Sequence, residues 1–315
     1  MRDLSKWTVA VVGAGTMGKG VAQHFASAGI KTYLYNRTER KLAEAHAEIS
    51  ESVEGMIRLG AIKAFDRAET VMSRLSCTAD LKTAVSDADL VIECVSEEIS
   101  LKRELFRQID ALSPERTFIC SDTSALNIYE EIPNCRPDRI LITHFFNPSN
   151  AMPLVEIVKG KDTPQETVDI IKAFLAFSGK QPIVINRCIP GFVFNRLLTA
   201  LEREALYIVE QGVATPEDID LIIRTTFGAR FAFEGIFDLL DHVGLDVEAA
   251  VVGDLLPELS ASVTASRVLV EKAEAGDYGV KTEKGFKDYR GQDINQIKKE
   301  RAEKIVKVLR FISSL

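Results

Sequence analysis

Gly13-Ala14-Gly15-Thr16-Met17-Gly18 narrows what this chain can become more than any other stretch, because of what stands on either side of it. Before it, residues 8–12 are a short apolar run with the texture of a strand buried on both faces; after it, residues 16–28 have helical period. A G-x-G-x-x-G between a strand and a helix gives each glycine a task. Gly13 makes the turn, Gly15 lets a pyrophosphate approach the backbone, and Gly18 lets helix and strand pack closely. The helix start at Thr16 and Met17 then offers its unpaired N–H groups to phosphate oxygens. A dinucleotide is the expected cofactor.

The rest of the chain extends this unit. A second strand is expected at 32–35, and further strands at 90–94, 117–121, 140–143, 155–158 and 183–185. Helical stretches such as 101–112 and 166–177 separate them. Residues 40–76 are charged, helix-periodic and interrupted by Gly60, which reads as two helices forming an arm rather than as more sheet. Strands alternating with helices predict an α/β fold with a Rossmann-type, doubly wound, mostly parallel sheet. After Pro190-Gly191 the texture changes: 195–211, 216–224, 263–274 and 293–312 are helical in period and no strand-like alternation persists. The expected organisation is a dinucleotide-binding domain over 1–188, then an all-α C-terminal domain over 189–315.

Bulk properties exclude several classes. A net charge of -7 argues against nucleic acid or an anionic membrane as partner. No apolar run is long enough to span a bilayer, and the N-terminus enters a strand almost at once, leaving no room for a signal peptide. Cys77, Cys94, Cys120, Cys135 and Cys188 are odd in number and never in C-x-x-C spacing, which favours free thiols in a reducing cytoplasm over disulfides or a metal site.

The chemistry gathers where such a sheet presents its ligands, beyond the carboxyl ends of its strands. Ser124 follows the strand ending at Ser121, His144 ends the next, Glu156 lies in the one after, and Asn195 opens the first helix of the second domain. A histidine oriented by a carboxylate moves protons near neutral pH. Taken singly, each has a structural explanation: a turn, a core histidine, a surface charge, a helix start. Together in strand-end positions they point to a site. At the end of the second strand, where an NAD site usually carries Asp or Glu, the chain reads Tyr35-Asn36-Arg37-Thr38. An amide, a guanidinium and a hydroxyl suit a 2′-phosphate, so NADP(H) is favoured, with NAD(H) as the alternative.

Several motifs together resemble the 3-hydroxyacyl-CoA dehydrogenase family over almost the whole chain. They are the glycine motif, 90–97 with Lys102 and Phe106, Asp122-Thr123-Ser124, His144-Phe145-Phe146-Asn147-Pro148 with Leu154-Val155-Glu156, Pro190-Gly191-Phe192 with Asn195-Arg196, and Gly279-Val280-Lys281-Thr282 with Gly285-Phe286. The resemblance implies His144 as general base and Glu156 as its orienting carboxylate, with Ser124 and Asn195 bonding the reacting oxygen. It implies that Glu97, Lys102, Asn147 and Lys281 touch the nicotinamide half of the cofactor, and that Arg58 on the arm meets a CoA phosphate. It also implies a homodimer through residues 190–290, and a role in fatty acid metabolism.

Three departures leave the substrate open. Asn36 replaces the ribose-binding acid, Asp122 stands where the family has Asn, and 228–235 (Gly-Ala-Arg-Phe-Ala-Phe-Glu-Gly) replaces the Pro-Met-Gly-Pro stretch of acyl-CoA enzymes. That stretch and Met152-Pro153-Leu154 look more like relatives acting on small free hydroxy acids, and 239–289 resembles a relative oxidising a hydroxymethyl-pyridine carboxylate. The first expectation is a short-chain L-3-hydroxyacyl-CoA dehydrogenase. The second is the same hydride chemistry on a small carboxylate-bearing alcohol, with Arg230 as the carboxylate clamp. A nucleotide-binding protein without catalysis is disfavoured by the presence of all four polar residues. A lysine-dependent relative of the 3-hydroxyisobutyrate type is excluded because 190–201 holds no lysine.

Overall fold

Thr8–Val12 (β1) has no exposed side chain, and its alternating residues feed two different cores. Val9 and Val11 pack with Phe25, Phe145 and Phe174, while Ala10 and Val12 pack with Phe106, Ile109 and Ile119. A strand that fills a core on each face lies in the middle of a sheet covered by helices on both sides. The computed structural model describes residues 3–62, 67–132 and 136–315. They form two compact units, Met1–Val193 and Phe194–Leu315.

In the first unit β1 is followed by α1 (Thr16–Ser27), β2 (Lys31–Tyr35), α2 (Glu39–Arg58), α3 (Ala68–Met72), β3 (Leu75–Thr78), α4 (Leu81–Val85), β4 (Leu90–Glu93) and α5 (Ile99–Leu112). Then come β5 (Phe118–Ser121), α6 (Ile128–Glu131), β6 (Ile140–Phe145), β7 (Leu154–Val158), α7 (Gln165–Phe177) and β8 (Gln181–Ile185). The eight strands lie in the order β3-β2-β1-β4-β5-β6-β7-β8. Every neighbouring pair is parallel except β6 with β7. The order reverses between β1 and β4, which opens a crevice at their carboxyl ends. This is the doubly wound sheet expected.

Two expectations need correction here. The stretch read as an arm of two helices ends in β3, which pairs with β2, so the sheet does continue through it. Leu-Ser-Cys-Thr is a four-residue edge strand with only Leu75 buried, too short for its alternation to show. Second, β6 runs on to Phe145, so His144 sits within the strand rather than at its end. Lys63 and Asp66 of the arm, and Cys135, lie outside the described residues.

The regular elements of the second unit are helical: α8 (Phe194–Glu210), α9 (Pro216–Ile222), a π turn (Ile223–Phe227), α10 (Gly228–Phe231), α11 (Ile236–Val243), α12 (Leu245–Leu255), α13 (Arg267–Glu274) and α14 (Ile294–Ile312), with isolated antiparallel bridges pairing Gly279 with Lys284 and Lys284 with Asp288 between the last two. Thr215 and Asp218 cap α9 reciprocally, which explains why it starts where it does. The helix expected from residue 263 begins at Arg267, and Val263 is exposed in the extended segment before it. Among the described residues of this unit, Val306 alone is buried. No described helix is long and apolar enough to cross a membrane.

Candidate active site

The glycines behave as their tasks require. Gly13 has φ +115°, and a Cβ there would lie 2.7 Å from the carbonyl oxygen of Cys94 at the end of β4. A Cβ on Gly18 would come within 1.8 Å of the Gly13 carbonyl oxygen, so only glycine lets α1 sit this close to β1. At Gly15, the N-cap of α1, a Cβ would meet nothing within 4 Å. The space is open there and faces the helix's N-terminal N–H groups at Thr16 and Met17, which fits a pyrophosphate.

The end of β2 lies beside β3, with the Asn36 N–H donating to the Thr78 carbonyl. Asn36 is half-buried, while Arg37 and Thr38 are exposed, and Arg37 makes no ion pair among the described residues. Asp80, the carboxylate just past β3, is occupied by capping bonds from Lys82 and Thr83.

On the far side of β4 a buried charge network forms. Glu93 closes β4 and is fully buried; its carboxylate accepts two bonds from the Lys102 ammonium, at 2.7 and 2.8 Å. It accepts two more, from the Ser121 hydroxyl at 2.6 Å and the Val95 N–H at 2.7 Å. Lys102, itself buried, also lies 3.3 Å from Glu97. Glu97 in turn accepts from the Ser124 N–H at 2.6 Å, the Ser124 hydroxyl at 3.1 Å and the Thr123 hydroxyl at 2.9 Å. Burial alone would raise the Glu97 carboxyl, but the Ser124 N–H, the Lys102 ammonium and the two hydroxyls outweigh it and hold it below the usual range. Ser124, Glu97 and Lys102 are thus brought together, and Lys102 is spent largely on Glu93.

His144 and Glu156 are directly opposed residues of the antiparallel β6–β7 pair, which explains how positions twelve apart meet. The His144 Nδ1 to Glu156 Oε2 distance is 2.8 Å, and the other carboxylate oxygen accepts the Val193 N–H at 3.2 Å. Phe146 and Phe192 flank the imidazole, with ring centroids 4.6 and 5.6 Å away. Phe192, the aromatic of the Pro190-Gly191-Phe192 motif, is fully buried in the first unit. Asp122, one residue beyond β5, accepts the Phe145 N–H at 2.8 Å and the Cys94 thiol at 3.6 Å. Burial pushes its carboxyl well above the usual range.

The remaining predicted residues are placed less tightly. Asn147 is exposed in the loop after β6. Arg58 is exposed at the end of α2, 3.8 Å from Glu54. Asn195, Arg230 and Lys281 belong to the second unit: the first is the second residue of α8, the second lies in α10 and the third in an exposed turn. The reading of the sequence missed Glu93, Thr123, Lys180 and the role of Phe192. The available signal for Glu93 was a lone acid closing the apolar run Leu90-Val91-Ile92. No cluster of three or more His, Cys, Asp or Glu able to hold a metal occurs among the described residues.

Comparison with known proteins adds the family. The model of the 3-hydroxyacyl-CoA dehydrogenase NAD binding domain matches residues 8–188, and that of the C-terminal domain matches 191–289. The 5-formyl-3-hydroxy-2-methylpyridine 4-carboxylate 5-dehydrogenase of Mesorhizobium japonicum is 34% identical over 305 residues, covering 96% of this chain and 97% of its own. The 3-hydroxybutyryl-CoA dehydrogenase of Clostridioides difficile is 34% identical over 283 residues, 89% of this chain and 99% of its own. A crystal structure of the pyridine-carboxylate enzyme, an NAD+-dependent dismutase, superposes with a TM-score of 0.90 at 34% identity, covering 98% of this chain and 99% of the other.

Proposed function

This chain belongs to the 3-hydroxyacyl-CoA dehydrogenase family, and from that premise we propose that it takes hydride from a small carboxylate-bearing alcohol, or gives it to the matching carbonyl compound, rather than acting on a CoA ester. The observation that carries this is the likeness to the pyridine-carboxylate enzyme, which runs the full length of both chains at a TM-score of 0.90. Arg230, in the stretch that departs from acyl-CoA enzymes, is the candidate clamp for the carboxylate. A second reading, a short-chain 3-hydroxyacyl-CoA, is favoured by the His-Phe-Phe-Asn-Pro form and by the Clostridioides relative, with Arg58 then meeting the CoA phosphate.

In either reading the chain's own groups do the same work. Glu156 accepts from His144, so Nδ1 carries the proton and Nε2 is left as the base that takes the substrate hydroxyl proton. In the reverse direction protonated His144 returns it. Phe146 and Phe192 wall the imidazole with apolar rings. Asn195 supplies a donor for oxygen as charge develops on it, and the Ser124 hydroxyl, which donates to Glu97 in the structure, supplies a second when it turns from Glu97 to the substrate. When bound, the nicotinamide supplies the hydride acceptor or donor, and Glu97, Lys102, Asn147 and Lys281 are the residues that would hold that half.

One panel tests substrate and cofactor together. Acetoacetyl-CoA, free acetoacetate, dehydrocarnitine and a pyridine carboxaldehyde carboxylate are each offered with NADH and NADPH, and reduced nicotinamide is followed by absorbance. Turnover of the free acids but not the CoA ester is expected; turnover of the CoA ester alone would overturn the proposal in favour of the second reading. Asn36, Arg37 and Thr38 lead us to expect NADPH to be preferred. Asn36→Asp should then shift the NADH/NADPH preference toward NADH by on the order of tenfold, since it sets a carboxylate against a 2′-phosphate. An unchanged ratio would refute that assignment.

The second unit is proposed to build the substrate pocket and a homodimer. None of α8 to α13 contains a buried residue, and Leu197, Phe237 and Leu255 are 65%, 78% and 53% exposed. Apolar faces this open call for a partner, and a second copy is the partner the family implies. Sedimentation equilibrium should give twice the 34.8 kDa chain mass. A monomer at micromolar concentration would reject the dimer.

A further inference from the structure

The loop between β6 and β7 is held by a buried lysine that the mechanism above does not use. Lys180 lies between Gly179 and β8 and is 5% exposed. Its ammonium donates to the carbonyl oxygens of Ser149 and Met152, each at 2.7 Å. Those carbonyls belong to a single helical turn, closed by the Ala151 and Met152 N–H groups on the Pro148 carbonyl. A cation set against the carbonyls of such a turn fixes its orientation.

The same loop is tied on its other side to the dinucleotide half. The Ser149 hydroxyl donates to the Met17 carbonyl at 2.9 Å, inside the glycine motif's helix. The Asn150 amide donates to Gln23 at 3.0 Å and to Ser52 at 3.2 Å, on α1 and α2. The loop begins directly after the strand carrying His144 and includes Asn147. It therefore joins the phosphate-binding helix to the histidine–carboxylate hairpin, and Lys180 closes the join from beneath.

We propose that Lys180 is a positioning residue: its ammonium fixes the turn at 148–152, so that α1 and the His144–Glu156 hairpin keep one mutual arrangement and Asn147 is held in place for the cofactor. This rests on the functional reading above in placing Asn147 and His144 at the nicotinamide. An apolar side chain here would leave the Ser149 and Met152 carbonyls without this donor, and the burial of the ammonium is offset by those two bonds, which ties its presence to this turn. Burial pulls Lys180 down to about 7, with the Asp122 carboxylate at the end of β5 acting against that. His24 on α1 is lowered well below its usual value, mainly by its own burial and then by Lys180. Phe145 offers its ring 5.8 Å from the ammonium.

Lys180→Met, Lys180→Ala and Ser149→Ala, each in the full-length protein, test this. The readouts are NADH and NADPH affinity by fluorescence, with the tighter-bound of the two followed in the variants, kcat at saturating cofactor, and the thermal midpoint. For Lys180→Met we expect cofactor affinity and kcat each to fall on the order of tenfold, the scale of a small misplacement of a bound reactant. Ser149→Ala, a mild change, should weaken cofactor binding in the same direction. In Lys180→Ala, n-propylamine, which replaces the deleted atoms, should restore cofactor binding, while propan-1-ol should not. Unchanged cofactor affinity in a folded Lys180→Met, or equal rescue by propan-1-ol, would overturn the proposal. Should both lysine variants fail to fold, unchanged cofactor affinity in Ser149→Ala overturns it alone. Failure of the wild type to bind either NADPH or NADH would instead count against the functional reading.

Discussion

His144→Asn is expected to reduce turnover of the best substrate by roughly 10²- to 10⁴-fold, the ordinary contribution of a positioned general base. Asparagine is the informative replacement because its amide nitrogen falls near the position of Nδ1. Glu156, fully buried in β7, then keeps a donor, whereas alanine would take that donor away and confound activity with stability. NADH affinity and the thermal midpoint should stay close to wild type, because the histidine is not among the residues expected to hold the cofactor. Glu156→Gln should lose less activity than His144→Asn. Its amide still offers an oxygen to the imidazole but no longer enforces the tautomer. Single-turnover absorbance at saturating cofactor separates these outcomes from binding effects. If His144→Asn keeps more than a tenth of wild-type turnover, His144 is not the base.

How far the site could be read from sequence depends on which interactions are local. The glycine motif was legible because its pattern is complete within six residues at one strand–helix junction, although the Cys94 carbonyl that crowds Gly13 comes from a distant strand end. His144 and Glu156 were legible as a pair, but their register was not. An antiparallel hairpin within a mostly parallel sheet sets them opposite each other, and the apolar Phe145-Phe146 disguised where the strand stopped. Phe192 stands 48 positions from His144 in the sequence, and nothing local shows that its neighbour in space is the imidazole. Glu93 and Lys180 were missed for a common reason. Charged residues beside apolar runs read as surface, and only the fold reveals that donors from distant elements surround them. Leu75–Thr78 was lost because a half-exposed edge strand of four residues carries little periodic signal.

The largest expected loss of stability comes from Lys102→Met. Removing the ammonium leaves the Glu93 carboxylate, at 0% exposure, with the Ser121 hydroxyl and the Val95 N–H but without its counter-charge. Breaking one partner out of a buried ion pair costs about 3–5 kcal/mol, far more than the net worth of the intact pair against an apolar replacement. The pair should therefore behave non-additively. Glu93→Gln/Lys102→Met removes both charges and should recover part of what Lys102→Met loses, which is the signature of direct coupling in a double-mutant cycle. Urea unfolding followed by the fluorescence of Trp7, the chain's single tryptophan, reports on this unit, because Trp7 is buried in it and stacked on Phe174 at 4.5 Å. The loss should extend to function by a separate route. Lys102 also lies 3.3 Å from Glu97, and Glu97 is what holds the Ser124 hydroxyl, so the single variant should lower kcat even where it remains folded. A Lys102→Met variant that loses less than about 1 kcal/mol would place the pair in the class of solvent-screened surface bridges and remove the network as the support of Ser124.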